Sequence, residues 1–313
     1  MKLGAAMKHC LSLSDYSRDE VQHLVRLALA IKAAPAKYAR ALHGRWLLML
    51  FQKTSTRTRL SFEIGMGRMG GRVVNMDWNT SNFAISPLEY EARYVSTHMD
   101  VIMARLKRHE DTRTLAGHSQ VPVINGCDDR FHPCQALADL VTVQETAGTF
   151  EGQTLAYVGI HNNVANSLVL AGSRVGLKII LVTPEVNPSA HDEALLARLE
   201  SEGAIERTLD LRDAAARSNF VYTDTWVDME FFNDPAYAQE KARRIEMMQP
   251  YQLNARNLGD SQAYILHDMP IHPGYEIDAA LVDSPRSIIY QQAENRLYAQ
   301  QALMLYLLGE APL

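Results

Sequence analysis

Apolar runs that are followed directly by helical patterns recur along the chain, and this order constrains the fold most. The run WLLMLF, residues 46–51, is wholly apolar, as expected for a strand buried in a parallel sheet. A helix is then predicted from about Thr56 to Met69, closed by Gly70 and Gly71. The second half repeats the pattern from TLAYVGI, residues 154–160, onward. Alternating strands and helices in both halves predict two parallel-sheet α/β domains.

The length of 313 residues fits two domains. We assign residues 1–147, together with a C-terminal helix over residues 288–313, to the first domain, and residues 148–287 to the second. We expect the C-terminal helix to cross back to the first domain and a cleft to separate the two. Ligands of such folds bind outside the carboxyl ends of the strands.

Charge and cysteine content exclude several classes of protein. The net charge of −5 argues against a protein that binds nucleic acid or a membrane surface, because such proteins carry a basic excess. Cys10, Cys127 and Cys134 have no metal-binding spacing, which predicts free thiols in a reducing compartment and no metal site. No secretory signal and no run of about 18 apolar residues is visible. These features predict a cytoplasmic protein without a membrane partner.

The segment FQKTSTRTRLSF, residues 51–62, concentrates hydrogen-bond donors where the predicted helix begins. Between Lys53 and Leu60 it holds two arginines and four hydroxyl side chains. The first N–H groups of a helix lack intrahelical partners and lie at the positive end of the helix dipole. Hydroxyls, free amides and a guanidinium together suit a phosphate. A solvated basic turn with an N-cap is the alternative, and the GxxxxGK pattern of a P-loop is missing.

The segment FHPCQALADL, residues 131–140, is the second candidate for chemistry. His132 and Gln135 are three residues apart, so they share one face at the start of a predicted helix. A neutral histidine and a glutamine amide are suited to polarising a carbonyl oxygen. A hydrogen-bonded structural histidine is the alternative. Cys134 is not expected to be a nucleophile, because the sequence places no base or acid to activate it.

Six segments in order give the chain a resemblance to a known family. They are FQKTSTRTRLSFE, HPCQALADL, GIHNNVANS, YTDTWV, PYQLNA and QAENRLYA. Together they resemble the transcarbamoylases, the aspartate and ornithine carbamoyltransferases, and the later segments favour the ornithine branch. The resemblance covers nearly the whole chain. It implies transfer of a carbamoyl group from carbamoyl phosphate to an amine, with no metal, no cofactor and no covalent intermediate.

The resemblance also implies roles for residues of the first domain, which would bind carbamoyl phosphate. Arg105 would contact both the phosphate and the carbonyl group, and His132 and Gln135 would bind the carbamoyl oxygen and nitrogen. Arg296 would close the phosphate site. Arg57, Arg105, His132 and Gln135 would be the catalytic group. The residues implied for carbamoyl phosphate binding are Ser55, Thr56, Arg57, Thr58, Arg105, His132, Gln135 and Arg296.

The second domain would bind the amine, and here the chain departs from the ornithine branch. Asn163 and Asp224 match residues that hold the backbone of ornithine. The branch has Ser-Met-Gly after the YTDTWV strand, where this chain has Asp-Met-Glu at residues 228–230. The branch has His-Cys-Leu-Pro in a later loop, where this chain has His-Asp-Met-Pro at residues 267–270. The residues expected to bind the acceptor are Asn163, Asp224, Asp228, Met229, His267, Asp268 and Met269.

Three acidic residues, Asp224, Asp228 and Asp268, predict a positively charged acceptor such as a diamine, a modified ornithine or another diamino acid. The alternative is that these loop residues changed by neutral drift and that the protein still accepts ornithine. The loop NTSNFAISPLEYEAR, residues 79–93, contains no lysine. In the family this loop comes from a neighbouring subunit, and the aspartate branch uses a lysine there, so its absence argues against aspartate.

The sequence agrees less well with two other functions than with a carbamoyltransferase. A non-catalytic relative that binds a phosphorylated metabolite would have lost one of the residues implied for phosphate binding, and all of them are present. A nucleotide-binding oxidoreductase is disfavoured because VGIHNNVANS, residues 158–167, lacks GxGxxG. The resemblance further implies a homotrimer, or a multiple of trimers, with sites shared between subunits. It also makes the Met269–Pro270 bond a candidate for a cis peptide.

Overall fold

The structure, a computed structural model, describes residues 7–227 and 231–310. The chain divides into two compact units, which are described separately. The first comprises Met1–Val141 and Asn295–Leu313, and the second comprises Thr142–Glu294. The domain limits expected from the sequence differ from these by a few residues, and the assignment of substrates to the domains stays a prediction.

The first unit is built around a parallel sheet with the strand order β2-β1-β3-β4. Its strands are β1 (Trp46–Phe51), β2 (Arg72–Asp77), β3 (Val101–Arg105) and β4 (Val123–Asn125). Its helices are α1 (Arg18–Ala33), α2 (Thr56–Arg68), α3 (Leu88–Ser96), α4 (His109–His118) and α5 (Pro133–Ala147), the last of which continues into the second unit.

The second unit is also built around a parallel sheet, with the strand order β7-β6-β5-β8-β9. Its strands are β5 (Thr154–His161), β6 (Lys178–Val186), β7 (Ile205–Arg207), β8 (Phe220–Thr223) and β9 (Tyr264–His267). Its helices are α6 (Asn163–Val175), α7 (Glu193–Ser201), α8 (Leu211–Ala216), α9 (Ala238–Met248), α10 (Ala255–Leu258), α11 (Ala279–Val282) and the first turns of α12 (Ile289–Leu307).

The predicted fold class is confirmed: each unit is a parallel-sheet α/β structure, and the C-terminal helix α12 ends within the first unit. The hydrogen bond from the Gln301 amide to the Gly65 carbonyl, 3.1 Å long, ties α12 to α2 there. Among the described residues, no helix combines the length and the apolar character that a membrane span needs.

Local signals explain why the first helices begin where they do. Ser17 and Glu20 form a reciprocal capping box at the start of α1, and α1 ends before Pro35. Ser55 caps α2, whose predicted extent is confirmed to within one residue. Gly70, with φ +81°, supplies the left-handed conformation that ends this segment.

The order of strands defines one point in each sheet where the chain reverses direction across the sheet. In the first unit this point lies between β1 and β3, and in the second it lies between β5 and β8. Ligands of open parallel sheets bind outside the carboxyl ends of the strands at such points. The residues that directly follow β1, β3, β5 and β8 are therefore the first places to search for a site.

Candidate active site

The segment after β1 forms a helix N-terminus rich in donors. The Ser55 hydroxyl accepts a hydrogen bond from the Thr58 amide at 3.2 Å, and the Thr58 side chain is fully buried. Arg57 is half-buried in the first turn of α2, while Thr56 is exposed. A cavity of about 480 Å³ opens beside residues 51–56. Ser55 and Thr56 line this cavity, so the start of α2, the positive end of its dipole, borders it.

Arg105 is the last residue of β3 and lies beside Phe51, the last residue of β1, in the register of the sheet. It therefore stands at the carboxyl edge, at the point where the strand order reverses. Its Nη1 donates to the Gly126 carbonyl at 3.3 Å. Its Nε is buried and has no hydrogen-bond partner among the described residues. A guanidinium with an unused donor at this edge is suited to binding an oxyanion.

Arg296 joins three segments that are far apart in the sequence. The guanidinium, in α12, is 3% exposed. Its Nη2 donates to the Thr58 hydroxyl at 2.9 Å, and its Nη1 donates to the Gln135 side-chain oxygen at 2.5 Å. The Gln135 amide nitrogen in turn donates to Asp139 at 2.8 Å. The chain of hydrogen bonds orients Gln135 and Thr58 around a buried positive charge.

His132, directly before α5, is buried and surrounded by positive charge. Burial is the main cause that lowers its pKa well below the ordinary histidine value, and the charges of Arg296, Arg105, Lys53 and Arg57 lower it further. The imidazole is therefore neutral at physiological pH, and a neutral imidazole keeps one N–H to donate.

The depressed pKa of His132 predicts a specific pH dependence of stability. Below about pH 6.5 the unfolded chain protonates this histidine and the folded chain does not, so the free energy of unfolding falls as the pH falls, by up to about 1.4 kcal/mol per pH unit. Above about pH 6.5 His132 adds no pH dependence to the free energy of unfolding. Urea unfolding of the wild type and His132→Gln at several pH values should show their difference changing below about pH 6.5. A difference that is constant with pH would contradict this prediction.

Cys134 is not placed as a nucleophile. Its side chain is fully buried, and its Sγ donates to the Asn125 carbonyl at 3.4 Å. Burial raises the pKa of this thiol well above its usual value, so the reactive thiolate is suppressed. Cys10, Cys127 and Cys134 are all free thiols.

In the second unit, the residues after β5 and β8 meet at the point where the strand order reverses. The Asn162 side chain caps α6 and also donates to Asp224 Oδ2 at 2.6 Å. Asp224, directly after β8, is 4% exposed and accepts a second hydrogen bond from the Thr225 amide at 2.6 Å. Asn163, which the sequence singled out, is the half-buried first residue of α6. Asn162, its neighbour, is the asparagine that contacts Asp224.

The loop after β9 carries the other predicted acceptor residues. The His267 Nδ1 accepts a hydrogen bond from the Met269 amide at 2.8 Å, and Nε2 lies 3.1 Å from Glu276. Asp268 follows β9 and is largely buried. Met269 packs against the hydrophobic core of this unit. The Met269–Pro270 peptide is cis, as expected. Asp228 and Met229 lie outside the described residues.

Three residues that position others escaped the sequence reasoning. Asn162 could have been found as an asparagine directly before a helix, the usual signal for an N-cap. Asp139 lies four residues after Gln135, on the same helix face, and this spacing was a usable signal. Glu276 is buried against His267 through a loop, and no pattern in the sequence pointed to it.

Comparisons with known proteins cover both units. Residues 8–145 match the family model described as aspartate/ornithine carbamoyltransferase, carbamoyl-P binding domain. Residues 151–307 match the model described as aspartate/ornithine carbamoyltransferase, Asp/Orn binding domain. An ornithine carbamoyltransferase of Listeria monocytogenes is 40% identical over 98% of this chain and 98% of its own length. One of Archaeoglobus fulgidus is 36% identical over 97% and 98%.

Solved structures give the same result. An ornithine carbamoyltransferase from Pyrococcus furiosus matches with a TM-score of 0.89 and 34% identity, over 99% of this chain and 100% of that one. One from Thermus thermophilus matches with a TM-score of 0.85 and 35% identity, over 97% and 100%. Sequence, fold and the order of the motifs agree, and the chain belongs to the aspartate/ornithine carbamoyltransferase family.

Proposed function

We propose that this protein transfers the carbamoyl group of carbamoyl phosphate to an amine of a positively charged acceptor, an ornithine-like amino acid or a diamine, and releases phosphate. The observation that carries the proposal is the carboxyl edge of the first unit, where a neutral His132 lies among the charges of Arg296, Arg105, Lys53 and Arg57. A ligand with a dianionic phosphate next to a carbonyl group needs cations for the phosphate and a neutral N–H donor for the carbonyl oxygen.

Carbamoyl phosphate would be held by the helix N-terminus and the buried cations. Ser55, Thr56, Arg57 and Thr58 would bind the phosphate, with the N–H groups at the start of α2. Arg296, which already holds Thr58 and Gln135, would fix both side chains before the substrate arrives. The catalytic benefit of such donors comes from being in place before charge develops.

The reaction needs a neutral amine and a polarised carbonyl group. Arg105 and the N–H of neutral His132 would donate to the carbamoyl oxygen, and Gln135 would bind the carbamoyl nitrogen. Negative charge grows on that oxygen when the amine attacks and then leaves with the phosphate. Donors aimed at this charge supply the largest part of the acceleration, and binding both substrates together supplies the rest.

The acceptor is proposed to be cationic because carboxyl groups lie at the carboxyl edge of the second unit, where the acceptor is expected to bind. Asp224 and Asp268 directly follow the adjacent strands β8 and β9 at the carboxyl edge of the second unit. The relatives reported above are ornithine carbamoyltransferases, and ornithine retained as the acceptor is the competing assignment. His267 and Met269 support the loop that carries Asp268, rather than offering free polar groups of their own.

A panel of acceptors tests the function and the acceptor class together. Phosphate release from carbamoyl phosphate should be measured with ornithine, putrescine, lysine, 2,3-diaminopropionate and aspartate. We expect the cationic acceptors to exceed aspartate in kcat/KM by at least about 100-fold, since an anion would face like charges. Aspartate serves as the control with an amino acid backbone and the opposite side-chain charge.

The outcomes of this panel separate the alternatives. Ornithine exceeding every other amine would end the proposal of an altered acceptor and leave the carbamoyltransferase. Binding of carbamoyl phosphate without phosphate release for any amine would instead favour the non-catalytic alternative.

Assembly as a homotrimer, or as a multiple of trimers, is proposed on the resemblance to the family. Exposed apolar side chains on α2 and α3 support it: Leu60 is 55% exposed, and Tyr90 and Tyr94 are each 64% exposed. A contact with a second copy would bury such surface. The cytoplasmic location stays a prediction.

A further inference from the structure

The sheet of the second unit places two carboxyl groups side by side. In the parallel pair β8 and β9, Thr223 is in register with His267, so the next residue of each strand, Asp224 and Asp268, are neighbours at the carboxyl edge. Asp224 is 4% exposed and the Asp268 side chain 11% exposed. After burial and the negative charge of Asp268, a side-chain hydrogen bond with Asp268 is a further cause that raises the pKa of Asp224. Ionised carboxylates only accept hydrogen bonds, so such a bond requires a shared proton.

The surroundings leave that proton with the two aspartates. Asp224 accepts hydrogen bonds from Asn162 and from the Thr225 amide, which are uncharged donors. His267 Nδ1 lies 3.6 Å from Asp268 and accepts the Met269 N–H, so in this geometry it does not donate to Asp268. Burial opposes a positive charge on His267, but its hydrogen-bonding contacts with Asp268 and Glu276 outweigh burial and raise its pKa. His267 lies against Asp268, Glu276 lies against His267 and His272, and the His272 ring contacts the Thr225 hydroxyl.

We propose that the Asp224–Asp268 pair is the proton acceptor of the reaction, which takes the proton from the ammonium group of the acceptor and so generates the attacking amine. This inference rests on the proposed carbamoyl transfer. It assigns a chemical role beyond binding a cation to Asp268, one of the residues at which the chain departs from the ornithine branch.

Proton affinity is what the pair adds to a single carboxylate. Burial, followed by the negative charge of Asp268, raises the pKa of Asp224 well above the ordinary aspartate value. An ordinary aspartate, with a pKa of about 3.9, is a very weak base toward an alkylammonium with a pKa of about 10.4. A pair that strongly prefers to share one proton narrows that gap, and proton transfer becomes more favourable as the two pKa values approach.

The proton balance of the step closes without another reactant. The ammonium form of the acceptor binds and displaces the shared proton to solvent, which leaves both carboxylates ionised beside the cation. One ammonium proton then passes to the pair, and the nitrogen lone pair forms the bond to the carbamoyl carbon. The bond from that carbon to the phosphate oxygen breaks, and the second proton of the nitrogen leaves with the phosphate. The pair returns to its shared-proton state.

The first test is the pH dependence of kcat/KM for the amine, among ornithine, putrescine and 2,3-diaminopropionate, that the wild type carbamoylates fastest. Asp268→Asn removes the second carboxylate at constant size. We expect kcat/KM near neutral pH to fall by about 10²–10⁴-fold, and its acid limb to move toward the pKa of the free amine, near 10. Asp283→Asn, at an exposed aspartate of the same unit, is the matched control and should change neither.

A role in binding alone predicts a different result. If Asp268 only attracted the cation, Asp268→Asn would raise KM and leave the pH profile in place, and that result would overturn the inference. Asp268→Cys restores the residue type of the ornithine branch. A thiol has a higher intrinsic pKa than a carboxyl group, so the acid limb should lie above that of the wild type.

The second test does not depend on turnover. Calorimetric titration of the same amine, in buffers of different ionisation enthalpy and with phosphonoacetamide as an unreactive analogue of carbamoyl phosphate, measures proton release on binding. The wild type should release about one proton at about pH 6, and Asp268→Asn should release close to none. Binding of phosphonoacetamide by the variant shows that its first unit is intact. No proton release by the wild type would overturn the inference.

These results also separate the inference from the function on which it rests. If the wild type carbamoylates none of the amines, the proposed function fails and the inference fails with it. If the wild type is active but its pH profile is unchanged in Asp268→Asn and no proton is released on binding, the inference alone fails.

Discussion

Replacing Arg105 with alanine is expected to lower kcat for carbamoyl transfer by about 10²–10³-fold, the usual effect of losing one preorganised donor to a developing oxyanion. The expectation follows from the position of Arg105 at the end of β3, beside the last residue of β1, where the strand order reverses. Its buried Nε has no hydrogen-bond partner among the described residues. Steady-state assays at saturating carbamoyl phosphate measure the effect.

Two further variants make this experiment specific. Arg105→Lys keeps the charge but loses the planar fork of donors, so we expect an activity between those of the wild type and the alanine variant. Arg113→Ala removes an exposed arginine of α4 in the same unit and should leave kcat unchanged. Wild-type kcat in Arg105→Ala would remove Arg105 from the catalytic group.

Replacing Arg296 with methionine is expected to lower kcat by at least about 100-fold and the free energy of unfolding by no more than about 3 kcal/mol. The guanidinium donates to Thr58 and Gln135, so its loss releases two side chains of the carbamoyl phosphate site together. Methionine retains much of the buried volume, so the stability loss should come mainly from acceptors left without donors. Activity assays and urea unfolding separate the two effects.

The matched control lies one turn further along the same helix. Gln300 is fully buried, and neither atom of its side-chain amide finds a hydrogen-bond partner among the described residues. Gln300→Met should therefore retain activity, with stability unchanged or raised by about 1 kcal/mol. Equal losses of activity in Arg296→Met and Gln300→Met would indicate that packing of α12, and not the guanidinium, supports the site.

The parts of the fold that the sequence predicted are those with strong local signals. The apolar run of β1, the hydroxyl cap at Ser55 and the glycine at residue 70 together located α2 to within one residue. The capping box at Ser17 is a local signal of the same kind for the start of α1. The short strands β4 and β7, of three residues each, gave no comparable signal, because a strand of that length owes its existence to its neighbours in the sheet.

The candidate site was predictable in its residue types and less so in its contacts. Motif order brought out Arg57, Arg105, His132 and Gln135, yet no spacing predicts that Arg296 reaches Thr58 across 238 positions. That contact depends on how helices pack, which local patterns do not encode. Asn162 was passed over for its neighbour for the same reason. Asn162 and Asn163 are the same residue type at the start of α6, and the sequence does not indicate which of the two side chains contacts Asp224.

The bridge from Arg296 to Thr58 and Gln135 has a consequence for the order of events during synthesis. The residues it joins are 238 and 161 positions apart, and the guanidinium belongs to one of the last helices to be made. A nascent chain still missing α12 could form the first sheet, but Thr58 and Gln135 would lack the hydrogen bonds from Arg296 that orient them. Competence to bind carbamoyl phosphate should thus arise only after α12 has left the ribosome.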